Sequence, residues 1–309
     1  MRVAITGSSG LIGTALRARL ERGGHEVVSV RRGTPTLGAV AWRPAEGWIE
    51  DGALEGCDAV VHLAGESIGD GRWTARRKRA IRDSRIESTR LLVDHMTALA
   101  RPPRVFVCGS AVGYYGDRGG EELCEESGAG EGFLAGVVRD WEHEAARASE
   151  AEIRVLSIRT AVVLAPRGGA LQRMLTPFRF GVGGRLGSGR QWVPWITLED
   201  EVRAIEWAIT HEEVRGPVNL AAPHPVTNRE LTKALARQLH RPALFPVPAF
   251  VLRIALGEMA NELLLQSQRV LPSKLMRSGF RFEHETVEDA LASVLRPRAG
   301  GRSAAASKA

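Results

Sequence analysis

The chain has 309 residues, 44% hydrophobic and 25% charged, with 42 Lys plus Arg against 36 Asp plus Glu and a net charge of +6. That is enough apolar residue to bury one large core, or a core with a smaller lobe, and it excludes dependence on a metal or disulfides for folding. Cys57, Cys108 and Cys124 are odd in number, widely spaced and outside any CxxC, so neither a disulfide framework nor a metal site is expected, and no apolar run approaches the roughly 18 residues of a membrane span.

Short β-branched runs alternate with longer helical patterns. RVAIT, HEVVSV, DAVVHLA, RVFVCGS and IRVLSIRT read as strands, with helical stretches opening near Leu11, Thr74, Gly130 and Ala170. This alternation predicts an α/β fold: a Rossmann-type doubly wound parallel sheet with helices on both faces. A strand beginning by about residue 3 leaves no room for a signal peptide, so a reducing, cytoplasmic setting is expected, with no membrane partner. After Arg167 a glycine-rich stretch, GVGGRLGSGRQWVPW, precedes helices near 198–211, 228–240 and 249–265, read as a smaller lobe over the carboxyl ends of the strands. The expected domains are 1–225, a dinucleotide-binding body; 226–296, a C-terminal substrate-side domain; and 297–309, a disordered tail carrying Arg298, Arg302 and Lys308.

Between the first strand and helix, TGSSGLIG sets Gly7, Gly10 and Gly13 at three-residue intervals. A helix N-terminus offers unbonded N–H groups and a positive dipole to a pyrophosphate, and glycines let the backbone approach it. The second strand ends in Arg31 and Arg32 where an acidic residue would hold a ribose 2′-hydroxyl. A guanidinium instead matches a 2′-phosphate, so NADP(H) is the expected cofactor.

TGSSGLIG, DAVVHLAG and VFVCGSAVGYYG together resemble the extended short-chain dehydrogenase/reductase and sugar-nucleotide epimerase superfamily. GRWTARRKRAIRDSRIESTRLL, GSGRQWVPWITLED, FPVPAFVLRIALGE and LLLQSQRVLPSKLMRSGFRF resemble its atypical branch, the epimerase family proteins with a C-terminal domain of unknown function. The resemblance implies cofactor contacts at Gly7, Gly10, Leu11, Ile12, Gly13, Arg31 and Arg32. It further implies contacts at Leu63, Ala64 and Gly65 after the DAVVH strand, at Arg85 in SRIEST, and at Val163 in RTAVVL toward the nicotinamide. Simple core packing is an equally natural role for Leu63 and Val163.

Standard members of that superfamily use a tyrosine and, four residues on, a lysine. Here the tyrosines are Tyr114 and Tyr115, followed four residues later by Arg118 and Gly119, and the matching helix reads GEGFLAGVVRDWE, with Phe133 and Val137 in those places. The position expected to bear a hydroxyl holds Ala111, beside Ser110. Two readings follow: an oxidoreductase or nucleotide-sugar epimerase-like enzyme of unidentified small-molecule substrate, with Ser110, Tyr115, Glu66 and Asp140 as candidate proton sources, or a non-catalytic NADP(H)-binding sensor or scaffold. A third class, nucleic-acid binding, is raised by seven basic residues from Arg72 to Arg85, but their spacing with Ile81, Ile86, Leu91 and Leu92 describes the solvated face of an amphipathic helix. In the lobe, Arg190, Gln191, Trp192 and Trp195 are expected on the substrate side, as anion contact and apolar wall.

Overall fold

A computed structural model describes residues 1–34 and 38–296 of the chain; the tail expected from Pro297 onward lies outside the described residues. Strand β1 (Arg2–Thr6) leads into helix α1 (Leu11–Arg22) and then β2 (Glu26–Arg32), β3 (Ala39–Arg43), β4 (Trp48–Ile49) and β5 (Ala59–His62). Next come α2 (Ala75–Thr97), β6 (Val105–Ala111), β7 (Glu122–Leu123), α3 (Phe133–Ala146), β8 (Arg154–Thr160), β9 (Val162–Leu164) and α4 (Gly169–Arg179). The rest comprises β10 (Trp192–Val193), β11 (Trp195–Thr197), α5 (Leu198–Thr210), β12 (Gly216–Leu220), β13 (Val226–Thr227), α6 (Asn228–Leu239), α7 (Ala249–Leu256), α8 (Glu258–Ala260), β14 (Arg269–Val270), α9 (Ser273–Arg277) and α10 (Val287–Leu295).

Eight strands form one sheet in the order β12-β8-β6-β5-β1-β2-β3-β4, parallel except where β4 returns antiparallel to β3. The strand order reverses at β1, which pairs with β2 on one side and β5 on the other, and this reversal opens a crevice at the carboxyl ends. Both faces are covered, which is why β5 reads as a continuous buried run. Side-chain alternation divides the core: Val3, Ile5, Val61, Val107 and Ile158 pack with Leu16 of α1 and Ile205 of α5, while Ala4, Val60 and Phe106 pack with Leu92 and Met96 of α2 and Trp141 of α3. A third core, built from Leu164, Leu171, Leu175, Trp195, Leu231, Leu235 and Leu291, belongs to α4, α6, α10 and β11.

The smaller lobe is less extensive than the helical pattern suggested. Helix α5, expected there, lies on the main sheet against α1, with Arg19 paired to Glu199 (3.3 Å) and Glu206 (2.6 Å). Strand β12 follows it to the sheet edge, beside β8. The single helix expected over 249–265 is broken at Gly257, whose φ of 64° ends α7; α8 and a π-helical turn, Asn261–Leu265, replace its second half. Strands β3 and β4 escaped the sequence reading because neither carries a long apolar run.

Buried polar groups tie the layers together. His62 lies edge-on between Trp42 and Trp141, with Nδ1 2.7 Å from Thr6 Oγ1 and Nε2 3.0 Å from Ser88 Oγ. Burial, reinforced by the nearby Arg85 charge, pushes its pKa down to about 3, so the ring is a neutral link between β1, β5 and α2. Arg159 pairs with Glu142 through two 2.8 Å contacts, and this carboxylate holds the guanidinium charged against the cost of burial. Glu201 is fully buried at the start of α5; Thr160 donates to one of its oxygens at 2.8 Å and the other has no hydrogen-bond partner.

Burial raises the Glu201 carboxyl to about 8. The folded state therefore keeps a proton that the unfolded chain, titrating near about 4.3, has lost, and stability falls as pH climbs through that interval. Glu201→Gln, neutral at every pH, should unfold at nearly the same urea concentration as the unmodified protein near about pH 4 and at a clearly higher one near about pH 9. Parallel stability curves for the two proteins would show that this carboxyl does not titrate in the interval.

Candidate functional site

The crevice is shaped first by backbone crowding. Gly7 follows β1 with φ of 67°, and a Cβ on it would stand 2.8 Å from the Leu63 carbonyl. A Cβ on Gly13 would lie 2.2 Å from the Gly7 oxygen, an approach that no side chain permits. Gly10 is different: its Cβ would be 3.2 Å from the same oxygen, and its own N–H donates to that oxygen at 2.9 Å. Thr6 secures the opposite wall, its hydroxyl accepting from Leu63 N at 3.2 Å and Ala64 N at 3.3 Å.

Helix α1 begins directly above this loop with no side-chain cap and no acidic residue in its first turn. The N–H groups of Leu11, Ile12 and Gly13 precede the first intrahelical acceptor, so the dipole and the donors are left for an anion. Leu11 reaches across to the lobe, where a Cβ on Gly169 would be 3.0 Å from its Cδ2. Val163 is buried in β9 beneath that contact.

Arg31 and Arg32 end β2 exposed, and neither guanidinium has an ion-pair or hydrogen-bond partner among the described residues. Strand alternation sends them to opposite faces, so they bracket the strand end. Arg85 is placed differently, on α2 with its guanidinium over Gly65, where a Cβ would be 3.3 Å from Cζ, and against the Trp141 ring at 5.3 Å. It donates to the Ile81 carbonyl at 2.9 Å but pairs with no carboxylate among the described residues, and burial lowers it to about 10. A sequestered cation lacking an acidic partner, an unneutralised helix start and a glycine cradle fit a dinucleotide whose phosphates lie along this line.

Of the proposed proton sources, Tyr115 is the least available. It is completely buried, its hydroxyl 2.7 Å from Asn219 Oδ1 and 2.9 Å from the Cys124 carbonyl while accepting from Arg159 at 3.0 Å, and burial raises it to about 12. Ser110 is also buried and donates to Glu142 at 2.6 Å. Glu66 pairs with Arg77 at 2.7 Å, and Asp140 sits on the outer side of α3 paired with Arg82 at 3.1 Å. Three of the seven basic residues of that run, Arg77, Lys78 and Arg82, pair with carboxylates.

Phe133 heads α3, while Val137 is sealed in the core. Lys78 Nζ stands 4.5 Å over the Phe133 ring, Trp73 meets that ring edge-on at 5.2 Å, and Glu258 accepts from Lys78 at 2.9 Å with both oxygens. Glu262 accepts from the backbone N–H groups of Phe133 at 3.2 Å and Leu134 at 3.1 Å, capping α3 from the far end of the chain. Sequence reasoning missed Lys78, Glu258 and Glu262, because nothing local signals partners separated by more than a hundred residues.

The lobe residues divide. Trp195 is a core residue with no exposed surface, its Nε1 donating to the His224 carbonyl at 3.2 Å, which corrects its placement as a pocket wall. The Gln191 amide is likewise consumed, donating to Leu186 and Leu264 carbonyls at 3.0 Å each. Trp192 is half-buried under the Arg269 guanidinium at 4.7 Å, and Arg190 is exposed.

Residues 3–221 match the model of the NAD dependent epimerase/dehydratase family, and residues 247–294 match a domain of unknown function. The chain belongs to the epimerase/dehydratase family. An epimerase family protein of Mycobacterium leprae is 45% identical over 291 residues, covering 94% of each chain. The human epimerase family protein SDR39U1 is 35% identical over 298 residues, covering 96% of this chain and 100% of its own. A crystal structure of human SDR39U1 with NADPH superposes with a TM-score of 0.87 at 34% identity, over 96% of this chain and 99% of that one. A UDP-galactose 4-epimerase, at 19% identity and TM-score 0.72, shares the fold, covering 96% of this chain and 97% of that one.

In this epimerase family member the three glycines have separable roles. Gly13→Ala should destabilise folding by roughly 1–3 kcal/mol through overpacking against Gly7, while Gly10→Ala costs less than half as much. Chemical denaturation of the two variants checks this, and equal losses would mean that the loop yields as a unit.

Proposed function

We propose that the protein binds NADP(H) across the carboxyl edge of the sheet and acts on a small-molecule substrate without the phenol–lysine pair of its standard relatives. The observation that carries the cofactor reading is the exposed, unpartnered pair Arg31 and Arg32 at the end of β2. In this reading the two arginines hold the 2′-phosphate, and Gly7, Gly10, Leu11, Ile12 and Gly13 cradle the pyrophosphate. Leu63, Ala64 and Gly65 border the adenosine side, Arg85 supplies positive charge behind them, and Val163 backs the nicotinamide end. That human SDR39U1 was crystallised with NADPH supports the same assignment.

The bound cofactor supplies hydride chemistry, and the chain must supply orientation and any proton. Ser110 and Tyr115 are spent on Glu142 and on the Asn219–Arg159 network, so they serve as supports. At Phe133, where the phenol would stand, the N–H-bearing group is the Lys78 ammonium, held at Nζ by Glu258. We assign Lys78 as the proton-holding group of the reaction and the half-buried Trp192 with Arg190 as substrate-side contacts. A binding-only protein is the second reading, favoured by the complete burial of Tyr115.

NADPH should bind more tightly than NADH, and replacing Arg31 and Arg32 by Ala should weaken NADPH by about tenfold or more while leaving NADH unchanged, as isothermal titration would show. Equal affinities in the unmodified protein would remove the NADP(H) assignment. Incubation with NADPH and panels of carbonyls, enones, quinones and sugar nucleotides, followed by absorbance and product mass, separates the two readings. Activity that survives Ser110→Ala and Tyr115→Phe but falls in Lys78→Met supports the enzyme as drawn; silence across all panels with intact NADPH binding supports the binding-only protein.

A further inference from the structure

No Asp or Glu occurs between Glu152 and Glu199, and none between Glu230 and Glu258. The two acid-free stretches fold side by side in the lobe. Phe245 N donates to the Gly183 carbonyl at 3.3 Å, Val247 N to Arg185 at 2.9 Å and Gly187 N to Val247 at 2.8 Å. The seam is tight: a Cβ on Gly184 would stand 2.0 Å from the Phe245 oxygen.

Along this seam lie the most exposed large apolar side chains of the described residues. Phe180 is 80% exposed, Ile254 72%, Leu244 71% and Phe250 62%, with Phe245 and Val182 between them. Large apolar side chains left exposed on both sides of one hydrogen-bonded seam and on the helix that follows it mark an interaction site. Arg179, Arg185, Arg241 and Arg253 are exposed around it, and none forms an ion pair among the described residues. This combination selects the partner. Two copies meeting face to face about a two-fold axis would bring arginine rims together with no carboxylate between them, which opposes self-association. An anionic lipid surface satisfies both halves, accepting apolar side chains at the acyl boundary and arginines at the phosphates.

We propose that this face docks on anionic lipid bilayers, with Phe180, Phe245, Phe250 and Ile254 inserted below the headgroups and Arg179, Arg185 and Arg253 on the phosphates. The contact is interfacial; no helix among the described residues is long and apolar enough to cross a membrane. An expectation of no membrane partner founded on the lack of a spanning segment does not bear on such a contact. The chain runs from this face directly into the Glu258–Glu262 segment that holds Lys78 and caps α3.

Flotation of the full chain with vesicles of phosphatidylcholine alone, and of equal parts phosphatidylcholine and phosphatidylglycerol, tests the proposal. The protein should float with the mixed vesicles only, and high salt should release it. Phe250→Ser with Ile254→Ser, both at exposed positions, should lower the bound fraction about tenfold, as should Arg185→Glu with Arg253→Glu. Urea midpoints of both variants should match the unmodified protein, confirming an intact fold. Failure to float with either vesicle, or equal flotation with both, overturns the proposal. So does a dimer in sedimentation equilibrium that Phe250→Ser with Ile254→Ser dissociates, since the face would then be covered by a second copy.

Discussion

The Gly7 carbonyl oxygen occupies the space in which a side chain on Gly13 would begin, and the Gly7 backbone rests on Leu63. This three-way contact brings the end of β1, the start of α1 and the end of β5 into one wall. No other residue type could hold it at that distance. Everything proposed for the crevice depends on it, because it brings the uncapped start of α1 to the point where strand order reverses. Thr6 and His62 stiffen the same wall from beneath, with the imidazole kept neutral by burial so that it carries hydrogen bonds without a charge.

The opposite side of the crevice is organised by charge brought from a distance. Helix α3 begins at Gly132 with φ of 110°, and the carboxylate that caps it comes from Glu262. A carboxylate at a helix N-terminus interacts favourably with the dipole. The same segment supplies Glu258 to Lys78, which stands over Phe133. The surroundings of Phe133 hold a cation, a second aromatic ring and two carboxylates. The C-terminal segment is thereby tied to α2 and to the start of α3 as well as to the lobe.

Buried ionisable groups elsewhere show how the sheet is held to its flanks. Arg159 reaches Glu142, Tyr115 and the Glu125 carbonyl, joining β8 to α3 and to the turn after β6. Tyr115 resembles a catalytic phenol in the sequence only because it is one of two tyrosines near the right strand. Its donors and acceptors are already satisfied inside the protein, and an unmet buried hydroxyl would have been costly.

Strands β1, β2, β5, β6 and β8, the glycine loop and the cationic end of β2 were legible in the sequence by itself, because each depends on residues close together in the chain. Alternation of side chains sets a strand, and glycines at Gly7, Gly10 and Gly13 announce a tight backbone at the start of a helix. Only the tertiary structure decided that α5 joins the main sheet, that Trp195 is core, and that Gln191 is spent on backbone carbonyls. It also decided that Lys78 meets Phe133 and that two acid-free stretches make one face. These depend on contacts across loops, where the same apolar or charged residue serves a core, a pocket or a surface with no change in local pattern. Burial and pairing are properties of the folded surroundings, and a linear pattern does not contain them.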